Sequence, residues 1–358
     1  MSDAPFHFRG VLLPDEIVVT VGVVGGRVTL TEAAGSTLLA DDVWLVPGFV
    51  DAHCHVGLEA DGAVDEARQR QQATQDRDGG THTIRDCGVP ADTRWIDGEA
   101  DLPQIIRAGR HIARPKRHTR EIGLEVEPDE LVATIEAEVP RGDGWIKLVG
   151  DWIDREKGDL APLWPRRALE AGINRAHELG ARVTAHTFSE DAPYDLVAAG
   201  IDCLEHGTGL TDDVIAIMAE RQVALVPTLI NIARFPDIAD SAVRFPRYAD
   251  HMRALHRGVN DRIRTAYEAG VPIYTGTDAG AVIAHGRITD EIRALHQMGM
   301  SPKDALGGGS WRAREWLGVG SGLAEGEIAN FNVYARDPYD MSTFTRPDYM
   351  VMKGRLHR

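Results

Sequence analysis

Two histidines stand two residues apart at the end of an apolar run, in PGFVDAHCHVG over residues 47–57. On a strand, side chains at i and i+2 project to the same side. A strand over residues 48–52 therefore aims His53 and His55 at one point just past its end. Two neutral imidazoles converging there make half of a metal site. A lone His-x-His pair is also what a polar turn can contain, so the case rests on finding further ligands. Four later segments offer one each: Lys147 in GWIKLVGDW, His186 in RVTAHTF, His206 in IDCLEHGTG and Asp278 in IYTGTDAG. Each alone has an ordinary reading: a strand lysine reaching for water, a hydrogen-bonded core histidine, a strand-to-loop junction, a capping aspartate in a turn. The sequence holds 14 histidines, so chance could supply any one. A suitable residue at the end of five separate strand-like runs is much harder to obtain by accident.

Something must bring these five ends together. From residue 47 to about residue 320 the chain alternates strand-like runs (GFVDA, THTIRD, RHIAR, WIKLVG, RVTAH, IDCLEH, VALVP, PIYTGTD) with helical ones. The helical runs include WPRRALEAGINRAHELG, TDDVIAIMAERQ with Thr211 as N-cap, and YADHMRALHRGVNDRIRTAYEAG stopped at Gly270. About eight such repeats predict a TIM (β/α)8 barrel, an α/β fold whose chemistry sits where the strands end. No G-x-G-x-x-G follows the first strand, which argues against a dinucleotide-binding sheet. Residues 1–46 and 322–358 are β-rich at both ends. They predict one small composite β-sandwich domain beside a barrel spanning residues 47–321.

With 358 residues there is room for such a barrel and its appendage. The net charge of -16 argues against nucleic acid or an anionic membrane as partner, and no apolar run is long enough to span a membrane. The expected partner is a small-molecule substrate, with homo-oligomerisation left open. Three cysteines, Cys54, Cys87 and Cys203, give no disulfide framework, and the first residues show no signal-peptide pattern; the expectation is cytoplasmic.

The ordered motifs PGFVDAHCH, THTIRDCG, IKLVGD, TAHTF, CLEHGTG and GTDAG resemble the metal-dependent amidohydrolase superfamily, nearest its imidazolonepropionase-like and prolidase-like branch. LAEGEIANFNVYARDP resembles the segment closing the small sandwich of such chains, with Asn330 where Asp is usual. The resemblance implies two divalent metal ions, zinc first. His53, His55 and Asp278 would hold one and His186 and His206 the other, with N6-carboxylated Lys147 bridging both. It implies a bridging hydroxide as nucleophile and Asp278 as the catalytic proton shuttle. The expected reaction is hydrolysis of an amide, cyclic amide or peptide-like bond. Ester, lactone or phosphotriester hydrolysis is the alternative on the same site, and a non-catalytic scaffold ranks last. Deaminases on this scaffold place a glutamate three residues after the fifth-strand histidine. Here Ser189 stands there, with Glu190 one further on, which demotes deamination.

Substrate charge has its own clue. RAGRHIARPKRHTR, residues 107–120, is basic without an acid in an otherwise acidic chain. If it covers the barrel mouth, Arg117, His118 and Arg120 would meet a substrate carboxylate. His285, after the Asp278 strand, is a second expected substrate contact. Cys54 is expected to face away from its flanking histidines.

Overall fold

The computed structural model describes residues 4–357. Strands from both ends of the chain share one seven-stranded sheet. Phe6–Leu12, Ile17–Val24, Arg27–Thr29 and Thr37–Pro47 come from the start; Phe331–Tyr334, Tyr349–Met352 and Arg355–His357 come from the end. Thr37–Pro47 links the two sets, parallel to Phe6–Leu12 and antiparallel to Phe331–Tyr334. The sheet is apolar inside, with Phe8, Val21, Leu45, Phe331 and Val351 in one buried cluster. The expected sandwich takes the form of this single curled sheet. Its two edges approach each other through residues 326–329, where Val28 N donates to Glu327 O and Gly354 N to Ala329 O.

Only Gly48 separates Thr37–Pro47 from the first barrel strand, Phe49–Cys54. A Cβ on Gly48 would lie 2.4 Å from the His82 ring, so no side chain fits at this junction. The barrel strands then follow as Thr81–Asp86, a third strand broken into Gln104–Arg107 and His111–Ala113, Trp145–Val149, Arg182–Thr187, Cys203–His206 and Ala224–Val226. Consecutive strands pair in parallel. The run PIYTGTD completes the ring through isolated bridges, Leu225↔Ile273 on one side and Cys54↔Ala279 on the other. Ala52 N donating to Thr275 O at 2.8 Å ties it to the first strand.

Alternation divides the side chains. Ile146, Leu148, Val183, Ala185 and Leu204 point outward into the large cluster shared with the helices. Val50, Ala52, Trp145, Cys203 and Val226 point inward and fill the barrel. The floor is aromatic: the guanidiniums of Arg85 (4.5 Å) and Arg182 (4.2 Å) both lie over the Trp145 ring, and Trp316 stacks on Tyr274 at 4.3 Å.

Helices stand where their patterns predict, at Arg166–Glu178, Asp212–Arg221 and Pro246–Glu268. Thr211 holds the N-cap position, but its hydroxyl goes to the Asp213 carboxylate, not to a backbone N–H. Gly270, at φ +87, turns the chain after the long helix. The sequence pattern did not announce the antiparallel hairpin Asp151–Asp154/Asp159–Pro162, inserted after the fourth strand.

Candidate metal centre

The first strand does not deliver His53 and His55 by simple alternation. Val50 and Ala52 already face inward, so an unbroken strand would send Cys54 inward and the histidines out. Asp51 is opposite Ile84 while Cys54 is opposite Asp86, so the first strand carries one extra residue between these pairs. This bulge reverses the phase and re-aims both imidazoles into the barrel mouth, a known use of bulges beside active sites. Strand eight must then come close: a Cβ on Gly276 would sit 2.6 Å from His53 Cβ.

His53 Nε2, His55 Nε2 and Asp278 Oδ1 lie 3.1 Å from one another. Zinc–ligand bonds of about 2.0–2.1 Å give tetrahedral edges of roughly 3.3 Å, so this triangle fits one face of such a site. His55 Nδ1–H donates to Gly88 O at 3.1 Å, which leaves the Nε2 lone pair facing the triangle. Asp278 Oδ2 accepts from Asn231 Nδ2 at 2.6 Å, so the carboxylate is held from both ends.

His186 and His206 face the same space. Their rings are 4.7 Å apart, and His206 is 5.2 Å from His53. His206 Nδ1 is hydrogen-bonded to the Thr228 hydroxyl at 2.7 Å. His186 Nε2 is buried without a partner, as expected of a lone pair kept for a ligand. Burial pushes His206 down to about 3 and His186 well below the ordinary histidine range, so both are neutral. His206, Thr228 and Asp278 all have left-handed backbones, at φ 66, 52 and 56. Such strain at three adjoining strand ends is typical of a site under functional constraint.

Lys147 is buried among these groups and forms an ion pair with Glu205. Glu205 also accepts from Thr184 Oγ1 at 2.7 Å and lies 3.6 Å from Arg85. Burial works against its charge, yet Lys147, His53 and Arg85 together hold its carboxyl well below the usual range. Glu205 and His206 are neighbours in sequence and both point inward, which the positive φ of His206 permits.

The four expected substrate contacts separate. Arg117 is committed to the inserted hairpin, donating to Trp152 O (2.9 Å), Ala161 O (2.8 Å) and Asp154 Oδ2 (3.2 Å). It clamps the loop after strand three onto that hairpin. His118, carried by the clamp, stacks between His111 (4.7 Å) and Trp152 (4.8 Å). Arg120 is exposed. His285 turns to the outer side of the first strand, where Nδ1 is 2.8 Å from Asp76 Oδ2. Glu190 pairs with His251 Nε2 at 2.9 Å, so it is engaged away from the histidine cluster.

Sequence reasoning passed over His111, Trp152, Glu205 and Thr228. His111 stacks on His55 at 5.4 Å and sits in register with Lys147. Its signal was present in RHIAR, a histidine on the third strand. Trp152 reaches His186 at 5.2 Å only because the unexpected hairpin folds over the mouth.

Residues 44–356 match the model of the amidohydrolase family. The chain belongs to that family. A relative described as an uncharacterized protein of Mycobacterium tuberculosis is 52% identical over 98% of this chain and 95% of its own. An imidazolonepropionase of Salinispora arenicola is 27% identical over 99% of this chain and 89% of its own. Among solved structures, a Xaa-Pro dipeptidase with bound methionine superposes with a TM-score of 0.84, 21% identity and coverage of 99% and 100%. The amidohydrolase chain thus has the fold of prolidase-like structures and a histidine- and aspartate-rich candidate metal site. Among the described residues, no helix is long and apolar enough to cross a membrane.

Proposed function

We propose that this chain is a binuclear-metal-dependent hydrolase that cleaves a carbon–nitrogen bond, amide, cyclic amide or peptide-like, in a small molecule. The observation carrying this reading is the mutual 3.1 Å approach of His53 Nε2, His55 Nε2 and Asp278 Oδ1. His53, His55 and Asp278 would hold one cation, His186 and His206 the other, and carboxylated Lys147 would be shared. Imidazole and carboxylate donors favour zinc, with manganese or cobalt as substitutes. Such cations, when bound, supply Lewis acidity and an acidified water.

The chain's own residues do the rest. Asp278, the most open of the ligand set with 18% of its side chain exposed, takes the proton at its carboxylate and returns it to the leaving nitrogen. Asn231 fixes the angle of that carboxylate. Thr228 and Gly88 orient His206 and His55. Carboxylation of Lys147 would replace its ion pair and leave Thr184 and Arg85 as partners of Glu205. His118 and Arg120 remain for a substrate carboxylate, since Arg117 is already engaged. The named relatives, an imidazolonepropionase and a Xaa-Pro dipeptidase, support a carbon–nitrogen target.

The test is metal reconstitution followed by a screen of N-acyl amino acids, dipeptides, hydantoins and lactones. Expected are about two equivalents of metal per chain, the mass increment of carbon dioxide on Lys147, and turnover of an amide-type substrate. A chain that stays metal-free overturns the reading, and a preference for lactones moves the reaction to ester hydrolysis.

A further inference from the structure

The bulge that turns His53 and His55 inward leaves Cys54 on the outer side of the first strand. Two other ligand-type side chains meet it there, Asp76 from the helix Glu66–Asp78 and His285 from the loop after strand eight. His285 Nδ1 is 2.8 Å from Asp76 Oδ2; Cys54 Sγ is 3.6 Å from that oxygen and 3.8 Å from that nitrogen. Cys54 and Asp76 are 0% and 1% exposed, and the His285 side chain is 5% exposed. Asp76 Oδ1 accepts from Gly286 N at 2.7 Å. Gly79 and Gly286 pack backbone to backbone, since a Cβ on Gly79 would lie 2.8 Å from Gly286 O. The carboxylate and the imidazole are therefore aimed by rigid main chain.

We propose that Cys54, Asp76 and His285 form a separate, thiolate-containing metal site on the outer side of the first barrel strand. Its ligand would be Zn²⁺ or a divalent cation of similar softness. With zinc bonds of roughly 2.0–2.3 Å, tetrahedral edges span about 3.3–3.7 Å. The two sulfur edges, 3.6 and 3.8 Å, fall within about 0.1 Å of that span, and the nitrogen–oxygen edge is shorter because a hydrogen bond now occupies it. A sulfur, a nitrogen and an oxygen donor together suit zinc or cobalt better than calcium or magnesium. Asp76 is buried with His285 as its ion-pair partner and, among the described residues, with no lysine or arginine ion pair, so a bound cation would take over the charge balance that the imidazole supplies when protonated.

On binding, the Cys54 thiol proton and the His285 Nδ1 proton leave to solvent, and the cation takes up both freed lone pairs and Asp76 Oδ2. Three protein ligands leave one position for water. Because Cys54 stands between His53 and His55, occupancy would tie the His-x-His turn to the first helix and to the strand-eight loop.

Cobalt titration of the full-length chain tests this. The expected result is a third equivalent of metal together with a thiolate-to-cobalt charge-transfer band. Cys54→Ser and His285→Ala should each abolish both; circular dichroism confirms that each variant is folded, and Asp76→Asn serves if Cys54→Ser is not. Cys87 lies near His53 and Glu205 and is the thiol the mouth could recruit, so Cys87→Ser should keep the band. A band lost in Cys87→Ser and kept in His285→Ala overturns the assignment. So does a wild-type chain that fills its mouth centre and shows no band. Failure of the mouth reading appears separately, as loss of the first two equivalents.

Discussion

The two ends of this barrel differ in how far their polar groups are satisfied. At the floor, cations pack on aromatic rings: the Arg85 and Arg182 guanidiniums lie 4.5 and 4.2 Å from the centre of the Trp145 ring. Arg182 Nη1 donates to Trp316 O at 2.8 Å, though Arg85 Nη1 is buried without a partner. At the mouth, nitrogen atoms are left over. His53 Nδ1, His111 Nδ1, His118 Nδ1 and His186 Nε2 are all buried without partners. The mouth also holds three residues in left-handed backbone conformation. Unsatisfied donors and strained backbone each cost stability. Because more of them gather at the mouth than at the floor, the floor is expected to carry more of the stability and the mouth more of the activity. Substitutions at the mouth should change activity with little effect on stability, and substitutions at the floor should do the reverse.

The sharpest way to break that contrast is Asp278→Asn. Turnover should fall roughly 10²–10⁴-fold, the usual worth of a positioned proton carrier. The melting temperature should hold, because asparagine tolerates a left-handed backbone. A large drop in melting temperature would mean that the mouth carries stability after all. The converse is Trp145→Ala, expected to cost about 3–5 kcal/mol in denaturant unfolding, as large-to-small core changes do. Metal content per folded chain should stay the same.

Thr228→Val is a finer probe. It keeps the shape while deleting the hydroxyl that fixes His206, so metal affinity should drop roughly 10–100-fold. Competition with a chromophoric chelator reads this, and unchanged affinity would show that His206 needs no second support.

The smallest effect belongs to the rim. His251 hydrogen-bonds Glu190 and Asp159, joining the long helix to the strand-five loop and the hairpin. The Glu190 hydrogen bond, aided by Asp159 and opposed by burial, raises His251 to about 9. A raised value means the stabilisation is complete below the unfolded-state value of about 6.5 and is lost as pH climbs through about 9. His251→Ala should therefore cost at most about 1 kcal/mol near pH 6 and nothing near pH 10. A pH-independent loss would make the contact one of packing.

Much of this was legible in the linear chain because strand and helix periods differ and ligand types are few. HCH, Lys147, His186, His206 and Asp278 stand out as polar residues ending apolar runs. The basic segment misled in one respect. Charge in a sequence carries no direction, and Arg117 finds its partners in a hairpin that local pattern does not signal. His285 misled for the same reason, since a loop residue can turn to either side of the strand it follows.

The sequence by itself determined the alternating elements, the β-rich termini and the candidate ligand types, all of which depend on local periodicity and residue chemistry. Tertiary structure alone decided which way those side chains point. The extra residue before Cys54, the left-handed turns at His206 and Asp278, and the glycine that lets strand eight approach His53 are set by contacts between distant segments. A shift of one residue exchanges the two faces of a strand, and only the packed barrel fixes that choice.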